Sequence, residues 1–379
     1  MYSLEAYGKM LKDTIRMEAY EKAIQRAVRP GCVVLDIGTG TGVHALMAAR
    51  AGARHVYAIE PADSVLLAPA VARANGLGEK ISFIQDLSTA ITLPEKADVL
   101  ISDLHGTLPW YHHHIPTIVD ARSRLLKEGA TLIPQKDAVF MAAVESSEIY
   151  SNYVDPWRQQ PYGFVMDHIA SHLTNAYIRG RAGRESLLSG IQRIADLDYH
   201  SILDPNVSVS LSLSPTRPGT LHGFLVWFET QVLDDVRLTS APFEPEISYG
   251  SSFFPISEPT VVQPEDTILV EWRGILQGMD YVWIWNCEIL DGSGTVRAKF
   301  QQNSLARQLH SMKSLRKRAP AYRPTLSPDG EADRIILNFM ADGLTLAEIA
   351  DRLRAQTPGL FGSDAAALER VRAISERYG

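Results

Sequence analysis

Asp36 follows the apolar run Val33-Val34-Leu35 and is itself followed by glycines at 38, 40 and 42, while a second apolar run, His55-Val-Tyr-Ala-Ile59, ends at Glu60. Glycine lets a ligand lie close against the backbone, and an acid at a neighbouring strand end can accept both hydroxyls of a ribose. Three nucleotide-like ligands compete for such a set. A dinucleotide calls for a third glycine at position 43, which is Val43, and a phosphate-cradling loop calls for Gly-Lys-Ser/Thr, which is absent. S-adenosyl-L-methionine carries no phosphates and asks only for close approach plus the acids Asp36 and Glu60, so Gly38, Gly40 and Gly42 suit it best. The plain alternative is a nucleotide-type fold whose crevice serves nothing. A second group of reactive side chains follows: Asp103, His105, His112, His113 and His114, around Trp110 and Tyr111. Consecutive residues at a helix start point in different directions and cannot all ligate one ion, so no metal is expected. A neutral imidazole at His112 or His105 can instead take the proton that a methyl acceptor releases. Trp110 and Tyr111 either wall an acceptor pocket or belong to the core.

These residues need strand ends brought side by side. Residues 2–28 carry a helical pattern stopped by Pro30-Gly31, after which strand 33–37, helix 43–51, strand 55–59, helix 63–75, strands 81–84 and 97–102, helix 115–126 and strand 131–133 alternate. Such alternation builds a parallel sheet covered by helices, with ligand chemistry beyond the carboxyl ends of the strands; Asp36, Glu60, Asp86 and Asp103 then share one crevice. After Pro134 the pattern turns to antiparallel strands at 137–144, 207–213, 221–231, 267–273 and 281–290, a barrel or sandwich, interrupted by an aromatic-bearing excursion from Ile149 to Leu188. Arg307 to Arg323 is a basic run that reads as a solvated linker. Helical pattern returns from Asp333 to Tyr378, with a Thr345-to-Glu348 capping box opening the second of three helices.

Composition narrows the classes. At 379 residues the chain can hold two or three cores, and 45 % apolar with 21 % charged residues is ordinary for a globular protein. A net charge of -7 argues against a general nucleic-acid surface and leaves room for a cationic substrate. Cys32 and Cys287 stand far apart without metal spacing, which points to a reduced, cytoplasmic protein. Apolar runs such as Gly223-Phe-Leu-Val-Trp-Phe228 have strand length, so no membrane span is expected.

Four stretches resemble the protein arginine methyltransferases, over about 300 residues and in the family's order. Met10-Leu-Lys-Asp-Thr-Ile-Arg16-Met-Glu-Ala-Tyr20 is similar to the helix that folds over the cofactor. The resemblance implies that Arg16 holds the methionyl carboxylate and that Met10 packs near the sulfonium. Leu35-Asp-Ile-Gly-Thr-Gly-Thr-Gly with Glu60 resembles the cofactor loop and ribose acid, and places Asp86 near the adenine. Pro161-Tyr-Gly-Phe-Val-Met166 resembles the arm that reaches a partner subunit, implying a homodimer. Leu221-His-Gly-Phe-Leu-Val-Trp-Phe-Glu229 is similar to the central barrel strand. The acceptor loop departs from the pattern. Asp103 stands at the first of the family's two guanidinium-clamping glutamates and His112 at the second, and Tyr249-Gly-Ser-Ser-Phe253 replaces the barrel loop that normally contributes a histidine. A shortened acid and an imidazole clamp a guanidinium poorly.

The expected fold is therefore a Rossmann-like class I methyltransferase domain, an antiparallel β-barrel domain and a small C-terminal helical module. Its divisions fall at 1–29, 30–136, 137–306 with an arm at about 147–188, a linker at 307–325, and 326–379. The expected activity is S-adenosylmethionine-dependent N-methylation of a peptide or amino-acid-derived acceptor other than a standard protein arginine. Two rivals stand beside it: a small-molecule N- or O-methyltransferase of specialised metabolism, and a catalytically idle scaffold acting through its C-terminal module. Ile336-Leu-Asn-Phe-Met-Ala-Asp-Gly-Leu-Thr-Leu-Ala-Glu-Ile-Ala350 in that module resembles winged-helix modules that recognise leader peptides in bacterial natural-product pathways of the pyrroloquinoline quinone type. It implies a peptide or protein partner; packing of the three helices on the barrel is the alternative.

Overall fold

A computed structural model describes residues 3–379. The single helix expected over 2–28, whose first residue lies outside the described residues, is two: α1 (Leu4–Lys12) and α2 (Thr14–Ala27). Asp13 divides them because its backbone leaves the helical region and its carboxylate accepts the Arg16 N–H at 3.0 Å, ending one helix and capping the next. Helix α2 buries Arg16, Tyr20, Ala23 and Ile24, a stripe at helical spacing that presses on the sheet.

The sheet takes β1 (Val33–Ile37), β2 (His55–Ile59), β3 (Ile81–Ile84), β4 (Ala97–Ile101) and β5 (Leu126–Ile133) in the order β3-β2-β1-β4-β5, all parallel. Every residue of β1 is buried, which is why it reads as an unbroken apolar run rather than an alternating one. Asp36 sits level with Ala58 of β2 and Ile101 of β4, so the chain just beyond those strands delivers Glu60 and Asp103 to either side of it. The crossovers include α3 (Val43–Arg50), α4 (Ala68–Ala74) and α5 (His114–Arg124).

Beyond Pro134 lie two antiparallel sheets. One runs β7-β12-β10-β6-β8, from β6 (Lys136–Val144), β7 (Ile178–Arg179), β8 (Gln192–Asp198), β10 (Gly219–Leu233) and β12 (Ser252–Val262), with β11 (Val236–Thr239) also on β10. The other runs β15-β14-β13-β9, from β9 (Val207–Leu213), β13 (Thr267–Gln277), β14 (Asp280–Leu290) and β15 (Val296–Asn303). Their inner faces meet where Phe254 packs edge-on against Trp272, Trp283 and Trp285 at 5.2–5.9 Å. Strand β12 is hard to see in the sequence because it holds Pro255 and Pro259; it pairs with β10 across an irregularity between Leu221 and Gly223 that absorbs them. The excursion after β6 forms α6 (Ser147–Tyr153), α7 (Asp155–Arg158) and α8 (Asp167–Leu173), anchored by buried Tyr150, Val154 and Ala170, while Tyr162, Phe164 and Val165 at its tip stay exposed.

The chain divides into two compact units, one ending at Gln308 and one covering Leu309–Gly379. The parallel-sheet and antiparallel domains both lie in the first unit and pack around a continuous core. The second unit holds α9 (Met312–Arg318), α10 (Pro328–Ala341), α11 (Leu346–Gln356) and α12 (Asp364–Tyr378). Ile336, Ile349, Leu353 and Val371 are its core, and the Thr345–Glu348 capping box opens α11. The basic run read as linker carries α9, which buries nothing. No strand occurs among the described residues of this unit, so it is a helical bundle rather than a winged helix. No helix among the described residues is long and apolar enough to cross a membrane.

Candidate active site

Gly38, Gly40 and Gly42 all have positive φ (79°, 55° and 91°), so the turn after β1 needs residues without a side chain. A Cβ at Gly38 would meet Leu104 at 2.4 Å, and one at Gly40 would meet the Tyr7 ring at 2.5 Å. This is backbone against which a flat group can lie. The Gly38 and Thr39 amides donate to the Ile59 carbonyl, fastening the turn to the end of β2. Asp36 is spent on the turn itself: it accepts the Thr39 hydroxyl and the Ala45 amide, and burial pushes its carboxyl up to about 7. Glu60 accepts the Gly40 N–H at 3.1 Å and the Ala62 N–H at 3.0 Å, one on each oxygen, which fixes the carboxylate at the rim of the turn. Asp86 is exposed beyond β3 and accepts the Leu87 amide.

Across from the glycines, Arg16 reaches from α2 to Asp103 at the end of β4. Its Nε donates to Asp103 Oδ2 at 2.8 Å, and Nη2 donates to the same oxygen. Nη1 makes only 3.5 Å contacts, to the Met10 carbonyl and Met17 Sδ, and so keeps donor capacity on its other edge. The Asp103 side chain is 4 % exposed. Burial alone would raise its carboxyl, but Arg16 and then His105 hold it well below the usual carboxylate range. Tyr249 donates its hydroxyl to Asp103 Oδ1, and Asp13 accepts the Ser248 amide, tying this loop to the start of α2.

His105 carries the network inward. Its Nε2 bonds Asp137 Oδ2 at 2.8 Å and its Nδ1 faces Asp103 Oδ1 at 3.5 Å. Asp137, on β6, also accepts the hydroxyls of Thr230 and Tyr199. Burial disfavours a charged imidazole, yet the two carboxylates outweigh it and raise His105 to about 9. Both ring nitrogens of His105 face carboxylates, so neither is turned toward a ligand as the sequence suggested for a proton acceptor. His112 corrects the other expectation. It is exposed and directed to the Met279 carbonyl at 3.0 Å, with His113 on Gly278 beside it, so both face the β13–β14 turn rather than Asp103. His114 is buried and donates to the Pro109 carbonyl. Trp110 is core, packed edge-on against Trp272 and Trp283, and Tyr111 lies against His112.

The structure therefore joins what the sequence kept apart: Arg16, expected on the cofactor side, and Asp103, expected on the acceptor side, are one ion pair. Sequence reasoning missed Asp137, Tyr249, Tyr20 and His44. Asp137 left a readable trace, since it shares the inward phase of β6 with Val139 and Met141, where an acid needs a buried partner. Tyr249 was visible only as a missing histidine. His44 stacks on Tyr20 at 4.8 Å, and its Nε2, like Ser102 Oγ, is buried with no partner among the described residues. A glycine cradle, a rim carboxylate and a guanidinium edge fit a nucleoside joined to an amino acid.

Comparison with known proteins agrees with that fit. Residues 34–129 match a methyltransferase domain, and residues 135–273 match the arginine methyltransferase oligomerization subdomain. The probable protein arginine N-methyltransferase 6.1 of Oryza sativa subsp. indica is 30 % identical over 232 residues, 59 % of this chain and 61 % of the relative. The protein arginine N-methyltransferase 6 of Xenopus tropicalis is 27 % identical over 279 residues, 70 % and 82 % of the two chains. The chain thus spans only about three fifths of the length of the rice relative. Among solved structures, Arabidopsis thaliana protein arginine methyltransferase 10 superposes with a TM-score of 0.69 at 24 % identity, covering 80 % of this chain and 98 % of that one. The Trypanosoma brucei PRMT1 enzyme–prozyme complex with AdoHcy gives 0.71 at 20 %, covering 78 % and 96 %.

Proposed function

In sequence and fold the chain is protein-arginine-methyltransferase-like, with the class I methyltransferase architecture, and from that premise we propose that it transfers a methyl group from S-adenosyl-L-methionine to an acceptor other than a standard protein arginine. The observation that carries the second half is the state of Asp103. In place of two free glutamates, the acceptor side offers one short carboxylate already engaged by Arg16, His105 and Tyr249, and position 112 is turned away. A guanidinium would find no pair of carboxylates to hold it from both sides.

The roles follow from the geometry. Arg16, through its Nη1 edge, would hold the carboxylate of the cofactor, Glu60 its ribose hydroxyls, and the turn at Gly38, Gly40 and Gly42 its flat face, with Met10 near the sulfonium and Asp86 toward the adenine. When bound, S-adenosylmethionine supplies an electrophilic methyl on a sulfonium, which needs an oriented nucleophile more than acid–base assistance. Asp103, held ionised, accepts a hydrogen bond from the acceptor and sets its approach; Tyr249 fixes the carboxylate plane. Rate then comes from positioning and from exclusion of water by α1 and α2. Exposed Tyr162, Phe164 and Val165 on the arm, with exposed Leu66, Leu67 and Val71 on the parallel-sheet half, support a symmetric homodimer in which the arm of one copy covers that apolar row on the other.

Labelled cofactor tests the reading. The protein should bind S-adenosylhomocysteine, leave a glycine-arginine-rich peptide unmethylated or nearly so, and label a component of fractionated lysate from its own source. Ordinary turnover on the arginine peptide would defeat the acceptor assignment; labelling of nothing, with cofactor bound, would favour an idle scaffold.

A further inference from the structure

We propose that His105, set between Asp103 and Asp137, turns the positive end of its pair with Asp137 against Asp103 and so adapts the acceptor side of the cleft to a group that is uncharged at neutral pH, an imidazole, amide or hydroxyl rather than a guanidinium. This rests on the methyltransferase reading and deepens it by naming the substrate class.

The argument is one of charge placement. Asp103 is the single carboxylate that α2, the β4 loop and the Tyr249 loop bring together, and it has a cation on two sides: Arg16 at 2.8 Å and His105 at 3.5 Å. Asp137, the fourth charge, lies on the far side of His105 and is wrapped by Thr230 and Tyr199. Both His105 and Asp137 have side chains 0 % exposed. Packing gives no reason for charge here, because Phe228 stacks on the His105 ring at 5.3 Å and an apolar side chain would fill the space at less desolvation cost. The pair does one thing an apolar residue could not: it holds a positive charge directly behind Asp103. A carboxylate ligand that takes the free edge of Arg16 would otherwise leave Asp103 as an uncompensated anion and a site for cations. His105 and Asp137 together carry no net charge, but the positive end of the pair faces Asp103 while Asp137 lies beyond the ring, so the nearer cation offsets part of the field of Asp103.

Every group facing His105 is consistent with a fixed cation. Asp103 lies in its own loop, with Arg16 of α2 behind it. Asp137 comes from β6, and the Tyr199 hydroxyl, just after β8, is 3.5 Å from Nε2. His114 of α5 lies edge-on at 4.8 Å, neutral because burial and then the His105 charge lower it to about 4. The Tyr249 ring is tilted at 5.1 Å, with its hydroxyl bound to Asp103.

Nitrogen-15 histidine spectra, assigned with His105→Gln, read the charge directly and need no cofactor. His105 should carry protons on both nitrogens at pH 7.5 and lose one only near pH 9; titration below pH 7 would overturn the proposal. Calorimetry on the S-adenosylhomocysteine-saturated protein then compares acetyl-arginine amide with acetyl-citrulline amide, its uncharged isostere. Wild type should not favour arginine, and the arginine-to-citrulline affinity ratio should rise roughly 10- to 100-fold in His105→Gln, as expected for one charge removed at several ångströms in a partly screened site. It should also rise in wild type between pH 8 and 10, but not in the variant. Asp137→Asn, which lowers the His105 affinity for its proton and keeps one acceptor oxygen for the hydroxyls of Thr230 and Tyr199, should shift the ratio in the same direction near pH 7.5 without touching the loop. A tenfold arginine preference in wild type, or no gain of arginine binding in either variant, would refute the idea. Failure to bind S-adenosylhomocysteine would instead count against the methyltransferase reading and leave the spectra to decide the charge.

Discussion

Glu60 spends each oxygen on one backbone amide and keeps the remaining lone pairs for a ligand. Its replacement by alanine should weaken S-adenosylhomocysteine binding by about 1–3 kcal/mol, the usual worth of charge-assisted hydrogen bonds lost from a buried site. Calorimetry would reveal an unchanged affinity, and with it a different ribose partner. Position 112 makes the opposite point, since what matters there is where the side chain goes. His112 has φ 44° and faces the β13–β14 turn, so a glutamate placed there would follow it outward. Asp103→Glu with His112→Glu should therefore leave arginine-peptide methylation near background in a radiolabel assay; recovery of strong turnover would mean that this loop moves to bring residue 112 inward.

At the scale of elements, the break between α1 and α2 is the joint on which the site depends. Asp13 caps α2 and accepts the Ser248 amide, so it fixes both Arg16 and the loop bearing Tyr249. Asp13→Ala should cost about 1–2 kcal/mol of stability through the lost cap and also weaken cofactor affinity, a pairing that a remote cap would not show. Thermal melts and binding isotherms on the same preparation separate the two effects. The arm is a second element with a single test. Tyr162 is fully exposed and Phe164 two-thirds exposed, which a stable monomer has little reason to tolerate. Light scattering should give a dimer mass for wild type and a monomer mass for Phe164→Asp; a wild-type monomer at tens of micromolar would remove the arm from this role.

Over the whole molecule, buried imidazoles set the pH range of stability. His105, raised to about 9 in the fold, binds a proton that the unfolded chain releases near 6.5. Its contribution is complete below pH 6.5 and disappears as pH rises through 9. His44 and His114 are lowered to about 4 by burial, so between pH 6.5 and 4 the unfolded chain takes up two protons that the fold does not. Asp36, raised to about 7, opposes one of them, because below pH 7 the fold keeps a proton that the unfolded carboxylate loses until about 4. His222, also lowered by burial, adds to the two, so stability falls on the acid side, and the loss of the His105 proton makes it fall on the alkaline side. Urea melts should peak near pH 6.5, and His105→Gln should flatten the alkaline arm; a wild-type curve level from 6.5 to 9 would show that His105 is not the cation described.

The parallel half and its glycine turn were legible because local constraints decide them. A wholly buried strand must be apolar throughout, a turn with three positive φ angles must use glycine, and a strand-end acid in a parallel sheet must face the crevice. The acceptor side was not legible. Nothing in the run from Asp103 to His114 says that His112 turns toward a hairpin more than 160 residues later, that His105 finds an acid on β6, or that Tyr249 closes on the carboxylate at 103. Those outcomes follow from long-range packing, in which each buried charge is tolerable only where a distant strand or loop supplies its partner. Sequence alone determined which ligand the first half is shaped for, while the folded chain decided that the cation expected beside the cofactor and the anion expected beside the acceptor are one pair, because both are too buried to stand alone.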